Sequence, residues 1–250
     1  DNIQFQLNPD FIPSNGNGLN PLLQNYWMVI HPPTLFLGFA ATLIPFFFFF
    51  TGLVERKYSE WIQPASPWTI FSVMILGVGI IMGGYWAYET LNFGGYWNWD
   101  PVENASLVPW LVGVASLHGM LSYRKGKANL SLSMLLVIST FILVLYSTFL
   151  TRSGVLGDAS VHSFTDLGLS GQLLVLLFVY LFFVTLLLVW RWNEIPGDPK
   201  TETLWTREFF LFLAALILIF ASVEITLRTS MPVINKIFGT NKVIKGSVPF

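Results

Sequence analysis

The stretch GQLLVLLFVYLFFVTLLLVW (Gly171–Trp190) runs for twenty residues without a charged side chain. A helix of that length spans about 30 Å, the thickness of a bilayer's hydrocarbon core. It is apolar all round, so it has no face to offer water and belongs in lipid or deep inside a protein. Reading outward, five further stretches qualify as spans: roughly Pro33–Val54, Pro67–Ala87, Ala105–Tyr123, Asn129–Leu150 and Glu208–Leu227. Composition agrees. Charged residues make up only 11% of the chain and apolar residues 54%, whereas soluble domains carry about 25% charge. So few charges cannot coat a soluble surface of this size. The expected fold is all-α: a polytopic membrane helix bundle of about six transmembrane helices, with membrane lipid around it.

The net charge of −1 gives a nucleic-acid partner no electrostatic support. Cysteine is absent, which excludes disulfides, thiolate metal sites and cysteine nucleophiles together. Histidine occurs three times, at His31, His118 and His162, so any imidazole chemistry must use these. Both ends of the sequence read as cut, and the chain is expected to be part of a longer protein.

Basic residues in the short connections set the orientation. Arg56 and Lys57 follow the first span, Arg124, Lys125 and Lys127 lie between the third and fourth, and Arg191, Lys200 and Arg207 lie between the fifth and sixth. Residues 1–30 and the connection Tyr88–Asn104 have no Lys or Arg, and Thr151–Ser170 has only Arg152. This bias puts both termini, His31, His162 and the aromatic stretch Tyr85–Asp100 on the outer face. The tryptophan-rich loop, at about 84–110, is expected to face outward.

Two histidines on one membrane face suit the two sides of a haem iron, since imidazole is its usual protein ligand; the plainer reading makes each an interfacial polar residue. Trp86, Tyr88, Tyr96, Trp97, Trp99 and Trp110 fit an interfacial aromatic belt. Gly83-Gly84 and Gly94-Gly95 add room for close approach, and flat faces with clearance suit a flat macrocycle. His118 lies about thirteen residues into the third span, roughly 20 Å deep. A polar residue there is functional by default. It is either an axial ligand of a second haem or a histidine bonded to a hydroxyl such as Ser139 or Thr140. Asp100 and Glu103 read as helix-start chemistry, with acid–base catalysis as the alternative. Arg152 fits a haem propionate or an ion pair with Asp158, Asp166 or Asp100. Phe46–Phe50 cannot share one helix face and reads as packing or lipid contact.

The run Gly94-Gly95-Tyr96-Trp97-Asn98-Trp99-Asp100-Pro101-Val102-Glu103-Asn104-Ala105-Ser106 resembles the WWD signature of the haem-handling proteins. Its continuation after Asp100, with Leu150-Thr151-Arg152-Ser153-Gly154-Val155-Leu156 and His31-Pro32-Pro33, is similar within that superfamily to the cytochrome c maturation protein F family, the haem lyase subunits. The resemblance runs from about Asn25 to Pro232. It departs at Tyr96, where relatives often carry Trp; Tyr still offers a flat face.

The resemblance implies two haem b sites. His31 and His162 would ligate an outer substrate haem held under the loop, with Trp86, Trp97, Trp99, Asp100 and Arg152 around it. His118 would be one ligand of an intramembrane haem whose second ligand lies beyond this sequence. It implies residues 1–232 as a haem-handling transmembrane domain and 233–250 as the start of an outer, periplasmic segment. It also implies a bacterial inner-membrane location and a haem lyase that works in a complex, with a haem chaperone, apocytochrome c and other maturation subunits as partners. A haem transporter and an electron-carrying b-type cytochrome subunit are the rival functions.

Overall fold

The computed structural model describes residues 23–90, 95–126, 129–156, 168–197 and 205–240. Eight α-helices are present among them: α1 (Tyr26–Ala41), α2 (Leu43–Val54), α3 (Ile62–Thr90), α4 (Pro101–Gly126), α5 (Leu130–Arg152), α6 (Ser170–Arg191), α7 (Arg207–Thr229) and α8 (Met231–Phe238). Six spans long and apolar enough to cross a membrane are present, with α1 and α2 together making the first, Tyr26–Val54. All six expected stretches are therefore helical, and the chain is a multi-pass membrane helix bundle.

The two halves of the first span meet at Thr42, and proline explains the break. Pro45 has no N–H for the carbonyl of Ala41 and its ring crowds that carbonyl. Thr42 turns its own hydroxyl onto the Phe39 carbonyl at 2.7 Å. A second proline is compensated between helices. Pro109 deprives the Ala105 carbonyl in α4 of its donor, and the hydroxyl of Ser147 in α5 bonds that carbonyl instead.

Small residues set how closely the helices cross. A Cβ at Gly38 would lie 2.7 Å from the Leu76 backbone, and one at Gly79 would lie 2.9 Å from Leu35. These pairs make α1 and α3 antiparallel, in the close crossing that glycine permits in membranes. The α3–α4 pair is also antiparallel, through Trp110 Nε1 to the Val73 carbonyl (3.0 Å) and Ser66 to Met120 (3.8 Å). Trp110 therefore packs between helices and does not belong to an outer aromatic belt.

Phe46, Phe49, Leu53, Trp61, Met134, Val137 and Phe141 belong to the largest buried cluster among the described residues, where α2, α3, α4, α5 and α6 meet. Of the five consecutive phenylalanines, Phe46 and Phe49 are buried and Phe47 is exposed, as helical geometry requires. At the Arg56 end, Glu194 accepts the Tyr58 hydroxyl and Arg191 Nη1 (2.9 Å), tying the α2–α3 turn to the end of α6.

Candidate haem-facing site

His31 lies inside α1, not at its start. Asn25 caps the helix, its side chain accepting the Trp27 N–H at 2.8 Å, so helix precedes His31 by five residues. Its imidazole reaches across to α3. Nδ1 is 2.7 Å from the Gly79 carbonyl, and the ring lies against Gly83, where a Cβ would come within 2.5 Å of Cε1. A carbonyl can only accept, so Nδ1 carries the proton and Nε2 is the basic nitrogen. A backbone carbonyl that fixes the tautomer and the ring plane is the usual support behind a metal-ligating histidine.

The aromatic stretch is partly helix. α3 continues to Thr90 and α4 starts at Pro101, so Trp86 and Tyr88 are helical and only 95–100 of this stretch are described as loop. Residues 91–94, including Gly94, lie outside the described residues. Tyr96 stacks on Tyr88 at 4.4 Å with an interplanar angle of 10°. Gly84 lets the chain dock there, since a Cβ would stand 3.0 Å from the Tyr96 carbonyl oxygen. Thus Gly83-Gly84 makes room for His31 and for the loop backbone, not directly for a macrocycle.

Trp97 and Trp99 face each other edge to face, 6.2 Å apart at 86°. Trp99 is 60% exposed, and Trp97 Nε1 is buried without a hydrogen-bond partner. Asp100 is buried and caps α4, accepting Val102 N–H at 2.8 Å, while Glu103 Oε2 accepts Asn98 N–H (3.0 Å) and Asp100 N–H (3.3 Å). That reciprocal pattern is a capping box. It gives both carboxylates structural tasks at the start of α4.

His118 is half-buried in α4, and its Nδ1 lies 2.8 Å from the Val114 carbonyl one turn earlier. That carbonyl, rather than Ser139 or Thr140, is its observed partner, and here too Nε2 is left as the basic nitrogen. The α3–α4 register puts His118 level with residues 68–69 of α3, whereas His31 is level with Gly83. The separation along the bundle is about 21 Å at helical rise. Imidazole binds a metal at about 2 Å, so these two histidines cannot share one iron. Arg152, half-buried at the end of α5, is level with Asp100 by the α4–α5 register. His162, Asp158 and Asp166 lie outside the described residues.

His31, Trp86, Trp97, Trp99, Asp100 and Arg152 thus share one end of the bundle, and His118 stands apart. Two residues of this end escape a motif reading: Trp27, edge-on to Tyr85 at 4.9 Å, and Asn25, whose amide donates to Glu89 at 3.1 Å; Asn104 lies inside the quoted run, and its amide donates to the Trp99 carbonyl at 3.0 Å. An Asn just before a proline-rich helix is the one local signal for the cap; the Trp27–Tyr85 contact and the Asn25–Glu89 bond depend on partners distant in sequence. The donor set fits haem. At this end the His31 imidazole has its Nδ1 bonded to a backbone carbonyl, a pair of indoles offers flat faces, and the buried Trp97 N–H lacks an acceptor that a carboxylate would supply.

The chain is similar to known proteins over most of its length. The Cytochrome C assembly protein family matches residues 7–156. "Cytochrome c-type biogenesis protein CcmF" of Pseudomonas fluorescens is 38% identical over 89% of this chain and 34% of its own length. Its namesake in Escherichia coli K12 is 36% identical over 97% of this chain and 37% of its own length. A solved structure, "Cytochrome c Heme Lyase CcmF", superposes with a TM-score of 0.67 at 30% identity, covering 85% of this chain and 32% of that one. The chain spans about a third of the length of these relatives.

Proposed function

The chain belongs to the cytochrome c assembly protein family, and from that premise we propose that it acts in cytochrome c biogenesis as part of a haem lyase. It holds substrate haem at the outer membrane face and promotes attachment of that haem to the Cys-x-x-Cys-His segment of an apocytochrome c. The observation that carries this is the His31 imidazole, locked by the Gly79 carbonyl with Nε2 basic, at the same end of the bundle as the Trp97–Trp99 pair.

His31 and His162 ligate the substrate iron from its two sides. Trp86, Trp97 and Trp99 pack the macrocycle. Trp97 Nε1 and Arg152 take its carboxylates, and Asp100 holds the loop from below. The substrate supplies both thiols, and each S–H adds across a vinyl C=C to form a thioether without net oxidation. The chain needs no nucleophile for this step, and its contribution is orientation of two bulky partners. His118 would help hold a resident b-type haem, which would supply electron transfer when bound, together with a ligand from outside these residues. The loop faces the periplasm of a bacterial inner membrane in this reading, and the basic residues of the alternate connections support that orientation. A haem chaperone, apocytochrome c and further maturation subunits are the partners.

The test is an absorption spectrum of the purified whole protein, expressed with its haem supply, beside a His31→Ala, His162→Ala variant. A reducible Soret band that the double variant loses in part supports the reading. A wild type that takes up no haem sinks it.

A further inference from the structure

Trp99 rests on backbone that L side chains rarely adopt, with φ of +57°. Such a conformation persists only where its surroundings over-determine it. Here the grip comes from the first turn of α4. The N–H groups on either side of Trp99, those of Asn98 and Asp100, both donate to one oxygen, Glu103 Oε2, at 3.0 and 3.3 Å. The Trp99 carbonyl accepts from Asn104 Nδ2 at 3.0 Å.

Ordinary capping does not need all of this. A capping box requires the third helical residue to reach the N–H of the cap residue, which is the Asp100 bond alone. The bonds to Asn98 and to the Trp99 carbonyl reach past the cap into the loop. They hold the segment between the two indoles, so they set the angle at which Trp97 and Trp99 face each other. Neither Glu103 nor Asn104 belongs to the aromatic surface itself.

We propose that Glu103 and Asn104 are positioning residues for haem handling, holding the Trp97–Trp99 pair in its ligand-ready arrangement through the loop backbone. The lock follows from the hydrogen bonds; the identity of its ligand rests on the function proposed above. Glu103→Ala removes the one oxygen that accepts both N–H groups. Glu103→Gln keeps an oxygen that can accept both, so it should rescue. Asn104→Ala removes only the carbonyl clamp and leaves the capping box intact.

Two measurements on the whole protein test this. The first is amide hydrogen exchange across 96–102 without haem. The second is a haem titration followed by the Soret band, with the His118-dependent signal as internal control for folding. Glu103→Ala should speed exchange at Asn98 and Asp100 and weaken haem binding at the loop end about tenfold, the scale of a lost supporting partner. The His118 signal should stay unchanged, and Glu103→Gln should keep most of the binding. Asn104→Ala should weaken binding without freeing the Asn98 and Asp100 amides. Unchanged exchange in Glu103→Ala overturns the lock. Faster exchange with an unchanged titration overturns the positioning role. A wild type that shows protected amides but takes up no haem leaves the lock standing and removes the ligand, which separates this proposal from the function it rests on.

Discussion

The imidazole of His31 fills the space that the missing side chain of Gly83 leaves, with Cε1 2.5 Å from where a Cβ would stand. Gly83→Ala must therefore push the ring off the Gly79 carbonyl. Loop-end haem binding should fall about tenfold or more, as for loss of a supporting partner, although His31 itself is intact. Soret titration reads this. Gly171→Ala, at a position with nothing within 4 Å, should titrate like wild type. Equal binding by Gly83→Ala would show that the ring position does not matter.

His31 and His118 should behave as independent sites. They stand about 21 Å apart along the bundle, beyond the range over which substitutions usually couple. His118→Ala should remove one haem signal and His31→Ala another, with the double variant losing the sum. Difference spectra of the three variants check this, and a His118→Ala spectrum that also lacks the loop-end signal would refute it.

Phe49 and Phe47 should respond differently to truncation. Phe49 is fully buried and edge-on to Trp61 at 5.4 Å, whereas Phe47 is 43% exposed. Phe49→Ala should cost about 3 kcal/mol, the low end for this truncation, because an unfolded chain in lipid keeps the ring in apolar surroundings. Phe47→Ala should change stability by less than about 1 kcal/mol. Unfolding of the detergent-solubilised protein distinguishes them.

The Glu194 junction offers a stability test at the end of the bundle opposite the proposed haem platform. Arg191 is 9% exposed, and its Nη1 bonds Glu194 at 2.9 Å. Glu194→Ala leaves that guanidinium without its carboxylate and frees the Tyr58 hydroxyl. The unfolding midpoint should fall, by well under the effect of breaking a fully buried pair, because Glu194 is 39% exposed. Haem spectra should not change. A lower unfolding midpoint together with an altered Soret band would show that the two ends of the bundle are coupled.

Much of this architecture could be read from the chain alone. Gly171–Trp190 can hardly be anything but a span, because apolarity summed over twenty residues is a local property. Asp100 and Glu103 at an X-x-x-Glu spacing before an apolar run are a legible cap. The boundary at His31 was harder. Pro32-Pro33 reads as a helix edge, yet the Asn25 cap carries helix through both prolines. Gly83-Gly84 signalled close approach but not of what, since His31 and Tyr96 arrive from other parts of the chain.

The sequence by itself determined six spans, the scarcity of histidine and the crowding of aromatics between the second and third spans, because each depends on residue type along a continuous stretch. Only the tertiary structure decided that His31 seats on Gly83, that His31 and His118 stand too far apart to share an iron, and that each keeps Nε2 as its basic nitrogen. It also decided that Glu103 and Asn104 grip the backbone around Trp99. These are matters of register and hydrogen bonding: two helices of the same composition can slide past one another by a turn, and glycine contacts and backbone carbonyls select which register is occupied.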